Sequence, residues 1–301
     1  MKKTIAVLLF VAATARADFR EFRALPVDAE LAAKAKRAAE ATLAQYPKLK
    51  PEDIAITLVD VTNPDAIVRG DHQGDAAFYP ASVIKLFFMA DVFATHRGKL
   101  GDVDRALKEM IHVSDNDATA YLVDILANTS PGPELQGWRL RRFIDHRRAI
   151  NRRFQKLGYE KVSAMMKPWS FGPFGRDRQA LGKNRENRNR LTSNETASLL
   201  LWIIRGRAPS ADAQKALLER PLDPPREDEN QVKEFIGEAL PTGSHLWSKA
   251  GWTSEVRHDA AYVELPTGRK LVMVIYTRGI ASDTTLIPAA ARNVLGEVLV
   301  H

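Results

Sequence analysis

Ser82 and Lys85 stand three residues apart in the run Phe78-Tyr79-Pro80-Ala81-Ser82-Val83-Ile84-Lys85-Leu86-Phe87-Phe88. On a helix that offset stacks both side chains on one face. An amine that gives up its proton there acts as base toward the alcohol, which makes a nucleophile without histidine. The neighbours Val83, Ile84 and Leu86 to Ala90 are apolar nearly all round, the pattern of a buried central helix. Ser82 falls in the first turn, where free backbone N–H groups and the positive end of the helix dipole favour negative charge. Such a pair arises by chance about once in a chain of this length, so its weight depends on partners. Ser114-Asp115-Asn116, on a polar link between helical stretches, and Lys249-Ala250-Gly251, ending a strand, supply two.

The elements that must position these residues follow from periodicity. Ala29 to Tyr46 is an alanine-rich surface helix. Asp53 to Val61 alternates as a strand, and Ala66 to Arg69 returns as its hairpin partner. Helical pattern runs through the Ser82 segment, restarts at Val103 to Ile111, and continues at Ala118 to Ala127 and Trp138 to Leu157. Lys167 to Arg190 reads as irregular. Thr192-x-x-Glu195 is a capping box opening Ala197 to Ile204. Helices are expected at Ala211 to Leu218 and Gln231 to Ala239, then strands at His245 to Ala250, Arg257 to Leu265 and Lys270 to Tyr276, then a terminal helix from Pro288. Strands, a long helical insert, strands and a last helix give an α+β fold. Its antiparallel sheet is built from both chain ends and faced by helices, with an all-helical lobe inserted.

Composition narrows the function. Lys2-Lys3, the apolar run Thr4 to Ala13 and Ala15-Arg16-Ala17 form a secretory signal over residues 1–17, so an exported, periplasmic or secreted protein without stable membrane insertion is expected. The remainder, 18–301, reads as one domain with an α/β lobe near 18–81 and 205–301 and a helical lobe near 82–204. Without Lys2, Lys3 and Arg16 the 44 basic residues become 41 against 37 acidic, too mild an excess for a nucleic-acid footprint. There is no cysteine, and the seven histidines show no metal-ligand spacing, so no metal and no cofactor are expected. His258 and Asp259 are strand neighbours facing opposite ways, which removes them as a dyad. The helix at 139–153 carries Arg139, Arg141, Arg142, Arg147, Arg148, Arg152 and Arg153 on one side. That side is either a solvated face or a contact for anionic cell-wall polymer.

Taken together, Ser82-x-x-Lys85, Ser114-Asp115-Asn116 and Lys249-Ala250-Gly251 resemble the signature of the penicillin-recognising serine enzymes, and most closely the class A β-lactamases. The resemblance spans nearly all of the chain after the signal. It implies Ser82 as the acylated nucleophile, Lys85 as its proton acceptor, and Ser114 as relay to the leaving nitrogen with Lys249 beside it. It further implies Asn116 as a lobe tie or substrate contact, and an oxyanion hole from the backbone N–H groups of Ser82 and of Trp252, just past Gly251. Arg257 would receive a substrate carboxylate. The substrate would be a β-lactam or a D-Ala-D-Ala-like peptide or ester.

Three departures qualify that implication. Ala250 lacks the usual hydroxyl, and the span between the first two motifs is short. The family's loop glutamate, in an E-x-x-L-N pattern, is absent: Met166-Lys167-Pro168-Trp169 stands where it is expected. Glu186, in Glu186-Asn187-Arg188-Asn189, is the nearest substitute for activating the deacylating water. Acylation chemistry is therefore expected, with hydrolysis of a β-lactam, peptidase or esterase action, and a non-catalytic binding module as the three readings.

Overall fold

A computed structural model of the protein describes residues 18–96, 101–169, 171–223 and 230–299. The expected signal segment lies outside them. Six strands form one antiparallel sheet: β1 (Ile54–Asp60), β2 (Val68–His72), β3 (Glu219–Arg220), β4 (His245–Trp252), β5 (Val256–Glu264) and β6 (Lys270–Arg278). Their order is β2-β1-β6-β5-β4-β3. The first strand pairs with the last, in a register that sets Leu58 opposite Met273, so the two chain ends meet and enclose the insert.

Eleven helices complete the described residues. They are α1 (Phe19–Arg23), α2 (Ala29–Gln45), α3 (Lys85–Thr95), α4 (Asp102–His112), α5 (Asn116–Ala127), α6 (Gly137–Arg147), α7 (Ala149–Gln155), α8 (Gly175–Leu181), α9 (Ser193–Ile204), α10 (Ala211–Leu218) and α11 (Leu286–Leu299). The period of two in β1 divides its side chains between two cores. Ile54, Ile56 and Leu58 join a cluster under α2 and α11, while Ala55 and Val59 join the larger cluster under α3 and α9. Close packing on the α2 side depends on small residues. A Cβ on Gly70 would lie 2.3 Å from Ala32 N, against a helix that buries Ala35, Ala38 and Ala39. On the other side α9 opens with its capping box, Thr192 and Glu195 each closing on the other's backbone. It is buried nearly all round.

Four local expectations differ from what forms. The Trp138–Leu157 stretch is two helices, with Arg148 at their junction. The irregular Lys167–Arg190 segment holds α8. Gln231–Ala239 forms only a 3-10 turn at Ile236–Ala239, because Glu234 at φ +68 interrupts the helical path. Arg147 and Arg153 do not sit on a solvated face. Arg147 is 1% exposed and donates to Asp124 and Asp177 at 3.1 and 2.6 Å, and Lys167 reaches the same Asp124 at 2.5 Å. Arg153 pairs with buried Asp91 at 2.6 and 2.5 Å. These buried pairs tie α3, α5 and the Lys167–Arg190 segment to the helices that carry the arginines.

Candidate active site

Ser82 sits in a 3-10 turn, Ala81–Ile84, from which α3 begins at Lys85. Side chains three apart eclipse in such a turn, which keeps serine and lysine on one face. Ala81 enters at φ +46, a left-handed conformation uncommon for a residue with a Cβ. Strand β4 presses directly on this turn. A Cβ on Gly251 would stand 2.7 Å from the backbone nitrogens of both Ser82 and Val83, and 2.9 Å from Pro80 O. Only glycine fits there. From below, His258 receives the Thr277 N–H on Nδ1 at 3.1 Å, so its proton lies on Nε2, which donates to Tyr79 O at 2.8 Å. Burial pushes this ring down to about 4, leaving it a neutral strut under the turn.

Ser114 occupies φ +60 and turns both its carbonyl and its hydroxyl toward Lys85. Lys85 Nζ donates to Ser114 O at 2.5 Å and to Asn116 Oδ1 at 2.9 Å, and lies 3.1 Å from Ser114 Oγ. Lys249 Nζ donates to Gln231 Oε1 at 2.5 Å and Ala250 O at 2.8 Å, and also lies 3.1 Å from Ser114 Oγ. The hydrogen count constrains the charge. A serine hydroxyl has one hydrogen and accepts through its lone pairs; an ammonium has three hydrogens and no acceptor. With two ammoniums the oxygen accepts from both, and the hydrogen of half-buried Ser114 turns to solvent. With two neutral amines one lone pair faces the oxygen's lone pair. One ammonium and one amine also satisfy every contact, and the burial of both amines favours this single shared positive charge.

The surroundings agree. Burial lowers the Lys85 amine to about 7 against an opposing pull from Asp115. Burial, then the charges of Lys85 and Arg220, hold Lys249 well below the ordinary lysine value, with Asp259 opposing. Asp259, raised by burial to about 7, accepts from Ile236 N at 3.0 Å and has no contact with His258's nitrogens. Ser82 is partly exposed, and its hydroxyl is not among the hydrogen-bond partners of Lys85.

The comparison with protein families matches residues 96–298 to the family described as β-lactamase enzymes. The chain belongs to the β-lactamase enzyme family. It is a β-lactamase-type hydrolase. Solved structures share the fold: a β-lactamase from Sphaerobacter thermophilus (TM-score 0.63, 20% identity, covering 88% of this chain and 98% of that one). PBP-A, in a mutant form as an acyl-enzyme complex with penicillin G, gives TM-score 0.63 and 18% identity over 91% and 99% of the two chains. A class A β-lactamase described as the last common ancestor of Gram-negative bacteria gives TM-score 0.61 and 16% identity over 89% and 100%. No curated protein matches the sequence.

Within this β-lactamase-family chain the motif residues Lys85, Ser114, Asn116 and Lys249 converge, and Gly251 packs on the Ser82 turn. Two other expected residues are engaged elsewhere. Arg257, 5% exposed at its side chain, pairs with Glu234 at 2.5 Å and stacks 4.7 Å over Phe235, which in turn packs on the half-exposed Trp252. Glu186 is exposed, and its carboxylate accepts from Asn184 N at 3.0 Å inside its own turn, against Gly182. Ala250 has its methyl in the α2/α11 core. The loop that follows α7 is closed at its neck by reciprocal Ser163 and Arg190 backbone bonds of 2.9 Å, and by Asn189 bridging Met166 O and N. Lys167, at the expected glutamate position, is buried against Asp124.

Sequence reading missed Gln231 and Arg220. Both reach the last carbonyls of α4, the helix that delivers Ser114. Gln231 Nε2 donates to Ile111 O and His112 O at 3.0 and 2.7 Å, and Arg220 Nη2 donates to Ile111 O at 2.6 Å. Nothing local in the sequence signals either role.

Proposed function

We propose that this chain is an exported serine hydrolase, residues 18–301 forming its single hydrolase domain, that opens β-lactam amides through an ester on Ser82. The observation that carries this reading is the Lys85–Ser114–Lys249 network beside a turn on which only glycine can pack. Lys85, neutral in part near pH 7, takes the Ser82 proton as Oγ bonds to the carbonyl carbon. The carbonyl electron pair moves to oxygen, where the backbone N–H groups of Ser82 and Trp252 stabilise it. Collapse breaks the C–N bond, and Ser114 gives its hydrogen to the leaving nitrogen and regains one from the proton shared by the two lysines. Asn116 holds Lys85 in line. Arg257 would have to leave Glu234 before meeting a substrate carboxylate.

The ester is expected to persist. Met166 and Lys167, in the segment where the resemblance places the family's water-activating carboxylate, are held by Asn189 and Asp124, and the Glu186 carboxylate closes its own turn. That observation favours a second reading, a D-Ala-D-Ala peptidase or esterase acting by the same acylation. Exposed Arg139, Arg141, Arg142 and Arg148 pair with no carboxylate among the described residues, and Arg139 lies 5.8 Å over the ring of exposed Trp138. This supports an anionic wall polymer as a docking partner. The test is to supply a penicillin, a D-Ala-D-Ala peptide and a small ester in parallel and follow product release. Opened penicillin, released slowly from an ester on Ser82, with none released from peptide or ester selects the first reading, and release from peptide or ester alone selects the second. No release and no adduct from any of them refutes both and leaves a binding module.

A further inference from the structure

Gln231 uses all of its hydrogen-bonding capacity, and its partners fix which way its amide points. Oε1 receives Lys249 Nζ at 2.5 Å and the Ala250 N–H at 3.2 Å. Nε2 gives its two hydrogens to Ile111 O and His112 O. Carbonyls only accept and a backbone N–H only donates, so the reverse orientation would break three of the four contacts. The amide is buried, 1% exposed. One side of it holds strand β4 at the Lys249 step. The other caps the C-terminal end of α4, whose last carbonyls have no partner inside the helix.

Two residues beyond His112 comes Ser114, in its left-handed turn. The same amide therefore fixes both ends of the Lys249–Ser114 contact. Arg220 reinforces the carbonyl side and also reaches Ser248 O at 3.3 Å. Among the described residues, Gln231 joins the α4 cap to the lysine amine itself.

We propose that Gln231 is the positioning residue of this site: by clamping the end of α4 to β4 it sets the Lys249 amine against Ser114 and favours the ammonium form at Lys249. The inference rests on the acylation reading only for its kinetic arm. The charged and titratable groups facing Lys249 are Lys85 from α3, Arg220 from β3 and Asp259 from β5. None of them supplies the neutral acceptor that Gln231 does.

Two variants separate positioning from bulk. Gln231→Met keeps the volume and removes every hydrogen bond. Gln231→Glu keeps the acceptor and adds negative charge beside Lys249. Acylation of Ser82 by a reporter penicillin is followed across pH, alongside titration of the Lys249 amine by NMR of lysine labelled with 13C at Cε, with thermal midpoints recorded for both variants. Loss of a hydrogen bond to a charged group predicts acylation of Gln231→Met slower by about tenfold or more. The Lys249 titration should move down in Gln231→Met and up in Gln231→Glu, and the alkaline limb of acylation should move with it. A merely structural residue would lower rates in both variants without moving the titration in opposite directions, and that outcome overturns the proposal. If the wild-type protein is not acylated at all, the function reading falls while the NMR titration still decides the clamp.

Discussion

Gly251→Ala perturbs the site by a single methyl group, and its effect can be worked from the structure. The new Cβ would meet Ser82 N and Val83 N at 2.7 Å and Pro80 O at 2.9 Å. Ordinary carbon contacts lie near 3.5–4.0 Å, so the turn and β4 must separate by something close to 1 Å. All three atoms belong to backbone, and the turn is held from beneath by the His258 bond to Tyr79 O, so it cannot yield by rotating a side chain. Overpacking of this kind costs about 1–3 kcal/mol. At about 2–4 °C per kcal/mol for a chain of this size, the thermal midpoint should fall by roughly 2–12 °C. The effect on chemistry should be larger, because a 1 Å misplacement of reacting groups costs on the order of a hundredfold in rate. Stopped-flow acylation with a chromogenic cephalosporin, beside calorimetry on the same sample, measures both. Acylation within threefold of wild type would refute the claim that the Gly251 backbone shapes the nucleophile's turn.

Three further outcomes are expected. Lys85 titrates near 7 when folded and near 10.5 when unfolded, so the unfolded chain binds more protons between those values and this group makes stability rise with pH across that window. Lys85→Met should lose that rise and should abolish acylation; urea midpoints at pH 6, 8 and 10 test it. Arg147→Met leaves Asp124 and Asp177 with reduced compensation in a site where the arginine is 1% exposed. It should cost about 3–5 kcal/mol, read from chemical denaturation. Replacing Arg139, Arg141, Arg142 and Arg148 by glutamate should abolish co-sedimentation with isolated anionic wall polymer while leaving the acylation rate unchanged. Retained binding would assign that face to solvent.

What could be read from the chain depended on how local each constraint was. Ser82 and Lys85 declare themselves because helical geometry sets residues three apart on one face. The sheet declared itself through alternation in Ile54, Ile56 and Leu58, though joining β1 to β6 required the enclosing-insert argument rather than any motif. Arg147 was misread because its neighbours Arg141, Arg142 and Arg148 are exposed, and periodicity cannot distinguish a solvated guanidinium from one whose carboxylates arrive from α5 and α8. Gln231 and Arg220 were invisible for a related reason. Their partners, Ile111 O and His112 O, are backbone atoms more than a hundred residues away, and backbone carbonyls leave no signature in sequence. Arg257, expected to receive a substrate carboxylate, pairs instead with Glu234, which lies 23 residues earlier in the chain and carries no local signal.

The most direct test of the account is the mass of the Ser82-containing peptide after brief exposure of the intact protein to penicillin, acid quench and digestion. A gain equal to one opened penicillin on that peptide, absent in Ser82→Ala and in Lys85→Met, is the predicted result. An unmodified peptide in wild-type protein, or a gain that survives replacement of Ser82, would contradict it.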